Sequence, residues 1–588
     1  MGEKFGNLVE LFEKSVARFG ARELFGVKDG DGWTWSTYAD FARQVDGFRA
    51  ALAGMGVGPG DRVAIVSDNR PEWAIACYAT YGRKASFIPM YEAQKPDEWE
   101  FILNDCQAKV VIGSKPDIYE KLLRVKENVP SLTRVLGIDL PAGHADRIAT
   151  HVEAGQKNPV PAEQPGWGDV AGLIYTSGTT GKPKGVILSH GNLCSNINAI
   201  HSIFVFESTD RSLSFLPWAH SFGQTCELHG LLSMGASMAI NDDIPNLLPN
   251  LATVQPTILF AVPRIFNRVY DNLNKQMAER PGFIRSLFYK AVAARTSVAK
   301  GEPIGLGDRL AVLIADMLVF TKVRARLGGN LKYAISGSAA LNRDVAQFID
   351  ALGIEVYEGY GLTETSPIAT ANFPGNRKIG SVGKAIPEVR IVIDRSVTGD
   401  AENGEIVIYG PNIMQGYHNR PEENALVLQE DGGFRSGDMG RLDSDGYLYI
   451  TGRIKEQYKL ENGKYVVPAP LEEEVKLSPY IANIMLHGAN HEHNVALVVA
   501  DKAALEPWAA VNGVPVGQLE SNPKVHELLL GEIKKYGQSF KGYERPVKLL
   551  ITLEDFTTDN GMLTPTMKLK RRNVLAKYEA ELEALYAA

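Results

Sequence analysis

Cysteine is scarce in this 588-residue chain. There are four, Cys77, Cys106, Cys194 and Cys226, and none stands in a C-x-x-C pair. That excludes a disulfide framework and a thiolate zinc cage, and it fits a reducing, cytoplasmic compartment. An excess of one charge is also missing. The 62 Lys and Arg against 69 Asp and Glu leave a formal charge of −7, which argues against a dedicated nucleic-acid binder. No long apolar run is present. The longest, 311–320, is broken by Asp316 and is far too short to span a bilayer; it reads as a buried helix. The start, Met1-Gly2-Glu3-Lys4-Phe5-Gly6, has no apolar segment behind it and does not read as a secretory signal. A myristoylation pattern needs Ser or Thr where Gly6 stands.

What is present is ordinary globular composition, 45% hydrophobic and 22% charged, at a length that predicts two or more domains. Leu8, Leu11, Phe12, Val16 and Phe19 recur at helical spacing. From residue 61 short apolar strands (62–67, 85–90, 109–112) alternate with helices (71–82, 96–105), the mark of βαβ units and a parallel sheet. Residues 140–168 are rich in Pro, Ala and Gly and read as a surface connection, and 170–175 is the next strand. The pattern is mostly helical over 270–327, with strands at 331–335 and 354–357 around a helix at 342–352. Frequent Gly, Asp and Asn turns from about 380 to 450 predict a β-rich subdomain. A compact α+β segment follows, with strands near 483–487, 496–500 and 547–551. The expectation is an α/β protein. A large N-terminal domain, 1–452, is built from βαβ sheets, and a small mobile α+β domain, 453–588, follows it.

The most informative stretch is Thr176-Ser177-Gly178-Thr179-Thr180-Gly181-Lys182-Pro183-Lys184-Gly185, directly after an apolar strand. Its glycines let backbone N–H groups approach a polyphosphate, its hydroxyls add donors, and Lys184 adds charge. It lacks the G-x-x-x-x-G-K-[ST] spacing of a Walker A loop and returns into a strand at 186–188 rather than a helix.

This stretch is similar to the phosphate loop of the acyl-adenylate-forming enzymes, and the resemblance continues along the chain. Tyr360-Gly361-Leu362-Thr363-Glu364-Thr365 resembles their Y-G-x-T-E element, and Ser436-Gly437-Asp438-Met439-Gly440 their ribose-binding segment. Gly452-Arg453-Ile454-Lys455-Glu456 resembles the interdomain hinge. Thr564-Pro565-Thr566-Met567-Lys568-Leu569-Lys570-Arg571 resembles the segment that carries the catalytic lysine, without its usual preceding glycine; most of the charge of Lys570, Arg571 and Arg572 reads as a solvated basic face. Leu216-Pro217-Trp218-Ala219-His220, Ala261-Val262-Pro263-Arg264-Ile265-Phe266 and Glu461-Asn462-Gly463-Lys464-Tyr465-Val466-Val467-Pro468 are similar to the long-chain acyl-CoA synthetase branch.

The resemblance implies a two-step reaction, in which a carboxylate attacks the α-phosphate of ATP and a thiol then displaces AMP. It implies Lys568 as the adenylation lysine, with Lys570 the alternative, and Lys184 as a phosphate ligand. Glu364 becomes a Mg²⁺ ligand with Thr176 beside it. Tyr360, between Gly359 and Gly361, would stack on adenine, with Gly337-Ser338-Ala339 as the other wall and Thr363 nearby. Asp438 would hold the ribose hydroxyls, Arg453 a phosphate or the ribose, and His220 the region of the carboxylate. Lys455 would be the hinge. Candidate walls of the acid pocket are 218–224, 230–234 and 336–340.

The expected activity is ATP- and Mg²⁺-dependent ligation of a medium- or long-chain fatty acid to CoA. Alternatives are transfer to a separate carrier protein, ligation of an aryl or branched acid, and a non-enzymatic nucleotide or acyl sensor. A long-chain acid partitions into lipid, so a peripheral bilayer contact is compatible, though no amphipathic anchor stands out.

Overall fold

The computed structural model describes residues 4–176, 182–397, 402–564 and 568–587. Helices begin where the sequence can satisfy or dispense with the first backbone N–H groups. The Asn7 side chain accepts from Glu10 N ahead of Leu8–Phe19, and Thr37 and Asp40 cap Tyr38–Gly54 reciprocally. Proline stands first in Pro71–Tyr81, Pro96–Asp105 and Pro263–Ala278, where its missing donor has no partner to lose.

Two large mixed sheets make up the N-terminal part. One has the spatial order Gly416–Tyr417, Lys184–Ser189, Val170–Thr176, Ser86–Met90, Arg62–Val66, Val110–Gly113, Arg134–Gly137. Its inner strands are parallel, as the βα alternation predicts, but Lys184–Ser189 turns back antiparallel on Val170–Thr176. The other sheet is nine-stranded, and its parallel centre holds Arg211–Ser214, Ile258–Ala261, Tyr333–Ser336 and Val356–Gly361. Central strands such as Val110–Gly113 and Ile258–Ala261 are buried throughout, which is why they read as unbroken apolar runs. Trp73, Phe87, Trp218 and Phe25 interlock edge-on or tilted in the main core.

The β-rich texture after residue 380 is a four-stranded antiparallel sheet, Arg390–Asp394, Gly404–Tyr409, Phe434–Leu442 and Leu448–Arg453. A single 3₁₀ turn, Ile454–Glu456, leads out of it. The smaller C-terminal part has its own three-stranded sheet, Ile481–His487, Val495–Ala500 and Lys548–Thr552, and its own core around Leu471, Val498 and Leu529.

Three expectations are corrected. The 140–168 connection contains a helix, Ile148–Gln156, packed on Tyr38–Gly54. There Gly155 brings the two backbones so close that a Cβ would lie 2.0 Å from the carbonyl oxygen of Gly47. Small residues at such a crossing leave no apolar period to read. The 311–320 run is helical but not buried. Only Ala311, Ala315 and Phe320 of it are inside, and Leu313, Met317 and Leu318 face solvent. Arg571, read as part of a solvated basic cluster, forms a two-toothed ion pair with buried Glu472, at 2.9 and 2.6 Å. Among the described residues no helix is long and apolar enough to cross a membrane.

Candidate active site

A cavity of about 660 Å³ opens where the two large sheets, the four-stranded sheet and the C-terminal part meet. The sheets deliver its walls in segments. Val170–Thr176 ends with Thr176 on the wall, and the returning strand begins with Lys184. Ser177, Gly178, Thr179, Thr180 and Gly181 lie outside the described residues. Lys184 Nζ is 3.0 Å from a Glu423 carboxylate oxygen and 5.4 Å from the centre of the Tyr417 ring. Lys182 is exposed over the Phe101 ring at 5.3 Å and does not line the cavity.

Val356–Gly361 brings Gly359, Tyr360 and Gly361 to the opposite wall. At Gly361 a Cβ would sit 1.7 Å from the Pro367 carbonyl oxygen, so only glycine fits. The Tyr360 hydroxyl donates to Asp438 Oδ2 at 2.8 Å, and Arg453 Nε contacts Asp438 Oδ1 at 2.9 Å. Asp438, 4% exposed, is thus oriented from both sides, with lone pairs remaining on each oxygen. In the adjoining turn Thr363–Thr365, Glu364 Oε1 accepts from the Tyr417 hydroxyl at 2.7 Å, and Thr363 is held by Ser221 at 3.3 Å. Gly337 and Ser338 follow strand Tyr333–Ser336 onto the wall, while Ala339 is exposed and stands outside it.

His220 sits in a turn after Arg211–Ser214. The Asn69 side chain clamps that turn, donating to the Leu216 carbonyl and accepting from Trp218 N, both at 2.7 Å. His220 Nδ1 accepts from Phe222 N at 3.2 Å. Burial first, and the Lys568 charge second, hold its imidazole down at about 4, so it is neutral at physiological pH. A fully buried π-helix, Phe222–His229, continues from this turn. It supplies Phe222 and Cys226 to the cavity. Helix Gly230–Met234, expected as a pocket wall, is buried away from the cavity.

The remaining wall comes from the C-terminal part. Lys568 N donates to Thr564 Oγ1 at 3.0 Å and Thr564 N to the Lys568 carbonyl at 2.8 Å; residues 565–567 lie outside the described set. The Arg571–Glu472 pair fixes the segment from its far side. Lys568 and Lys570 both line the cavity, as do Arg453 and Lys455. Lys568 is open to the cavity space but surrounded by protein. Desolvation, and then Arg453, push its ammonium below the ordinary lysine range, against the pull of Asp438, Glu364 and Glu456. The rest of the lining is apolar. Phe204 and Tyr357 meet at 5.7 Å and Phe222 and Phe260 at 6.0 Å, with Ile200 and Ile335 beside them.

Sequence reasoning missed Tyr417, Glu423 and Asn69. Each is a common residue type far from any motif, so nothing local marks it.

Residues 12–418 match the model of the AMP-binding enzyme family, and 455–588 that of the AMP-binding enzyme C-terminal domain. The chain belongs to the AMP-binding enzyme family. Within it, the chain is similar to the long-chain-fatty-acid–CoA ligase FadD15 of Mycobacterium bovis, 35% identical over 572 residues, 94% of this chain and 92% of that one. It is also similar to the peroxisomal long chain acyl-CoA synthetase 7 of Arabidopsis thaliana, 30% identical, covering 99% of this chain and 87% of the relative. Among solved structures, the adenylation domain of a carboxylate reductase from Mycobacterium chelonae superposes with a TM-score of 0.81 at 22% identity, over 99% of this chain and 91% of that one. The fold is therefore that of adenylation domains, a large N-terminal domain with a smaller C-terminal one.

Proposed function

We propose that the protein activates a medium- or long-chain fatty acid with ATP and transfers the acyl group to CoA. The observation that carries this is one cavity uniting three chemistries. It holds the Asp438–Tyr360–Arg453 cluster, a lysine from the C-terminal part, and an aromatic and aliphatic wall fit for an acyl chain. Neither the nucleotide cluster nor the apolar wall alone would distinguish this chemistry from simple binding.

In the first step a carboxylate oxygen forms a bond to the α-phosphorus of ATP and the bond to the β-phosphate oxygen breaks, releasing pyrophosphate. Two anions must approach, so fixed positive charge aimed at the reacting atoms is the main requirement. Lys568 supplies it between carboxylate and α-phosphate, and Lys184 exchanges its Glu423 partner for the outer phosphates. Asp438 accepts from the ribose hydroxyls, and Tyr360, with Gly337 and Ser338 opposite, encloses adenine. Neutral His220 offers a donor beside the acid without a second cation. The Glu364 carboxylate, with the Thr176 hydroxyl lining the same cavity from the opposite wall, is a hard oxygen set that fits Mg²⁺, which when bound would neutralise phosphate charge. In the second step the CoA sulfur bonds to the acyl carbon and AMP leaves. The small domain, from 453 onward, turns about Lys455 to withdraw Lys568 and admit the thiol. A long-chain acid partitions into lipid, so peripheral contact with a bilayer belongs to this reading.

The test is pyrophosphate release across a panel of acids, with and without CoA. Turnover that rises with chain length and passes one equivalent only with CoA supports the reading; no release with any acid ends it. Lys568→Ala should lower release by about 10²–10³, and Lys570→Ala far less. Lys455→Pro should impair one half-reaction more than the other at an unchanged melting temperature; equal loss of both would count against the hinge.

A further inference from the structure

Eight basic and three acidic residues lie between 282 and 326, a local +5 in a chain whose total is −7. Two helices fill most of this segment, Gly282–Ala299 and Leu306–Ala315, the second prolonged by a π turn, Asp316–Phe320. On the second helix Leu306, Leu310, Leu313 and Met317 are spaced four, three and four residues apart, so they fall on one face. They are 84%, 57%, 59% and 69% exposed. Leu318 and, on the first helix, Phe283 are exposed as well. Scattered apolar residues on a surface are normal, but an aligned stripe about 16 Å long is not.

The stripe belongs to a firmly held element. Phe288 packs against Phe320 and Phe348 at 5.7 and 6.0 Å, and Asp316 is paired with Arg295 and Arg324, each at 3.0 Å. These pairs, and Lys290 with Asp308 at 3.4 Å, leave Glu302 as the one acid without a basic partner among the described residues of this segment. Arg285, Lys300, Arg309, Lys322 and Arg326 are exposed.

We infer that this face docks on an anionic lipid bilayer, the helix Leu306–Phe320 lying in the interface with its leucines in the acyl region and its basic neighbours at the headgroups. An interfacial helix needs this combination of apolar stripe and basic flanks, each Lys or Arg near an anionic surface adding to the attraction. A second copy of the chain fits less well, because it would bring the same positive charge against itself. The inference rests only on the lipid-contact part of the proposed function. Vesicle binding is read without ATP, acid or CoA, so it stands or falls separately from the reaction.

The experiment is flotation of the full chain with vesicles of neutral phosphatidylcholine, and with vesicles in which about a third of the lipid is anionic. The expected result is binding to the anionic vesicles that weakens with salt. The variant L310E/L313E/M317E should bind at least about tenfold more weakly, with its melting temperature and its activity on a short, water-soluble acid unchanged, since none of the three lines the cavity. Three outcomes overturn it: no flotation with anionic vesicles, equal flotation of the variant, or equal binding to neutral vesicles. A wild-type dimer in sedimentation velocity that the variant dissolves would assign the stripe to a second copy instead.

Discussion

Two π-helical turns in this molecule invert the usual placement of side chains. Phe222–His229 carries Gln224, Thr225, Glu227 and His229, and all eight of its residues are buried. Asp316–Phe320 carries Met317 and Leu318, which are exposed, and buries only Phe320. The polar turn is inside with only part of its hydrogen-bonding capacity used: among the described residues Gln224 Oε1, Thr225 Oγ1 and His229 Nε2 are buried without a partner. Glu227 accepts from Ser212 at 3.1 Å and Ser214 at 2.7 Å, tying the turn that bears His220 to strand Arg211–Ser214. His229 Nδ1 meets the Tyr78 hydroxyl at 2.8 Å. The apolar turn is outside with no protein over it. Burying polar groups and exposing apolar ones both cost stability, so where a fold keeps both, binding is the first place to look. One turn walls the cavity; the other faces outward with a basic rim.

The comparison breaks most easily at Gly223. A Cβ there would lie 2.5 Å from the Pro217 carbonyl oxygen and 3.1 Å from that of Leu216, both backbone atoms that cannot step aside. Gly223→Val should therefore cost about 3 kcal/mol in urea unfolding and displace His220, abolishing turnover. A stable variant with full activity would mean that the buried turn does not set the cavity wall.

Glu227 gives the next largest effect, with a defined sign. Burial raises its carboxyl to about 7, against the opposing pull of the Ser214 and Ser212 hydrogen bonds. The folded chain therefore keeps a proton that the unfolded chain has released, and stability from this group is lost as pH rises from about 4.5 to 7. Glu227→Gln removes that loss. Measured as the difference between variant and wild type, so that the buried histidines cancel, the gain should be small at pH 4.5 and about 3 kcal/mol larger at pH 8. A flat difference across this range would show that Glu227 is ionised in the fold. A smaller shift belongs to His220. Lys568→Ala should move its titration upward, as followed by NMR, while burial keeps it well below the ordinary histidine range.

Much of this was legible in the sequence, for identifiable reasons. Strands buried on both faces read as apolar runs, and Tyr360, Glu364 and Asp438 stand in short motifs whose glycines are set by close backbone approach, as at Gly361, or by a positive φ, as at Gly437. Contacts that hold the site from distant segments were not legible. Tyr417 reaches Glu364 across 53 positions and Asn69 reaches Trp218 across 149, and neither contact has a spacing rule. The outer stripe failed differently. Its helix is correct, but periodicity states only that one face is apolar, not whether protein covers that face. Ala311 and Ala315, small and buried, set the true inner face, while the leucines that dominate the pattern point out.

That last point yields the smallest expected effect and the sharpest use of the comparison. Leu228 and Leu313 carry the same side chain on the two helical segments under comparison, one fully buried and one 59% exposed. Leu228→Ser removes a packed side chain and strands a hydroxyl, at a cost of about 3 kcal/mol. Leu313→Ser in lipid-free solution should change unfolding free energy by no more than about 0.5 kcal/mol, because water already reaches the leucine in the folded state. If Leu313→Ser instead costs as much as Leu228→Ser, the outer stripe is covered in solution by something the isolated chain provides, and the asymmetry between the two turns disappears. If the cost is negligible without vesicles and the same variant binds them more weakly, the energy of that leucine is spent on lipid rather than on the fold. The two π turns then differ in what they bind rather than in how well they are packed.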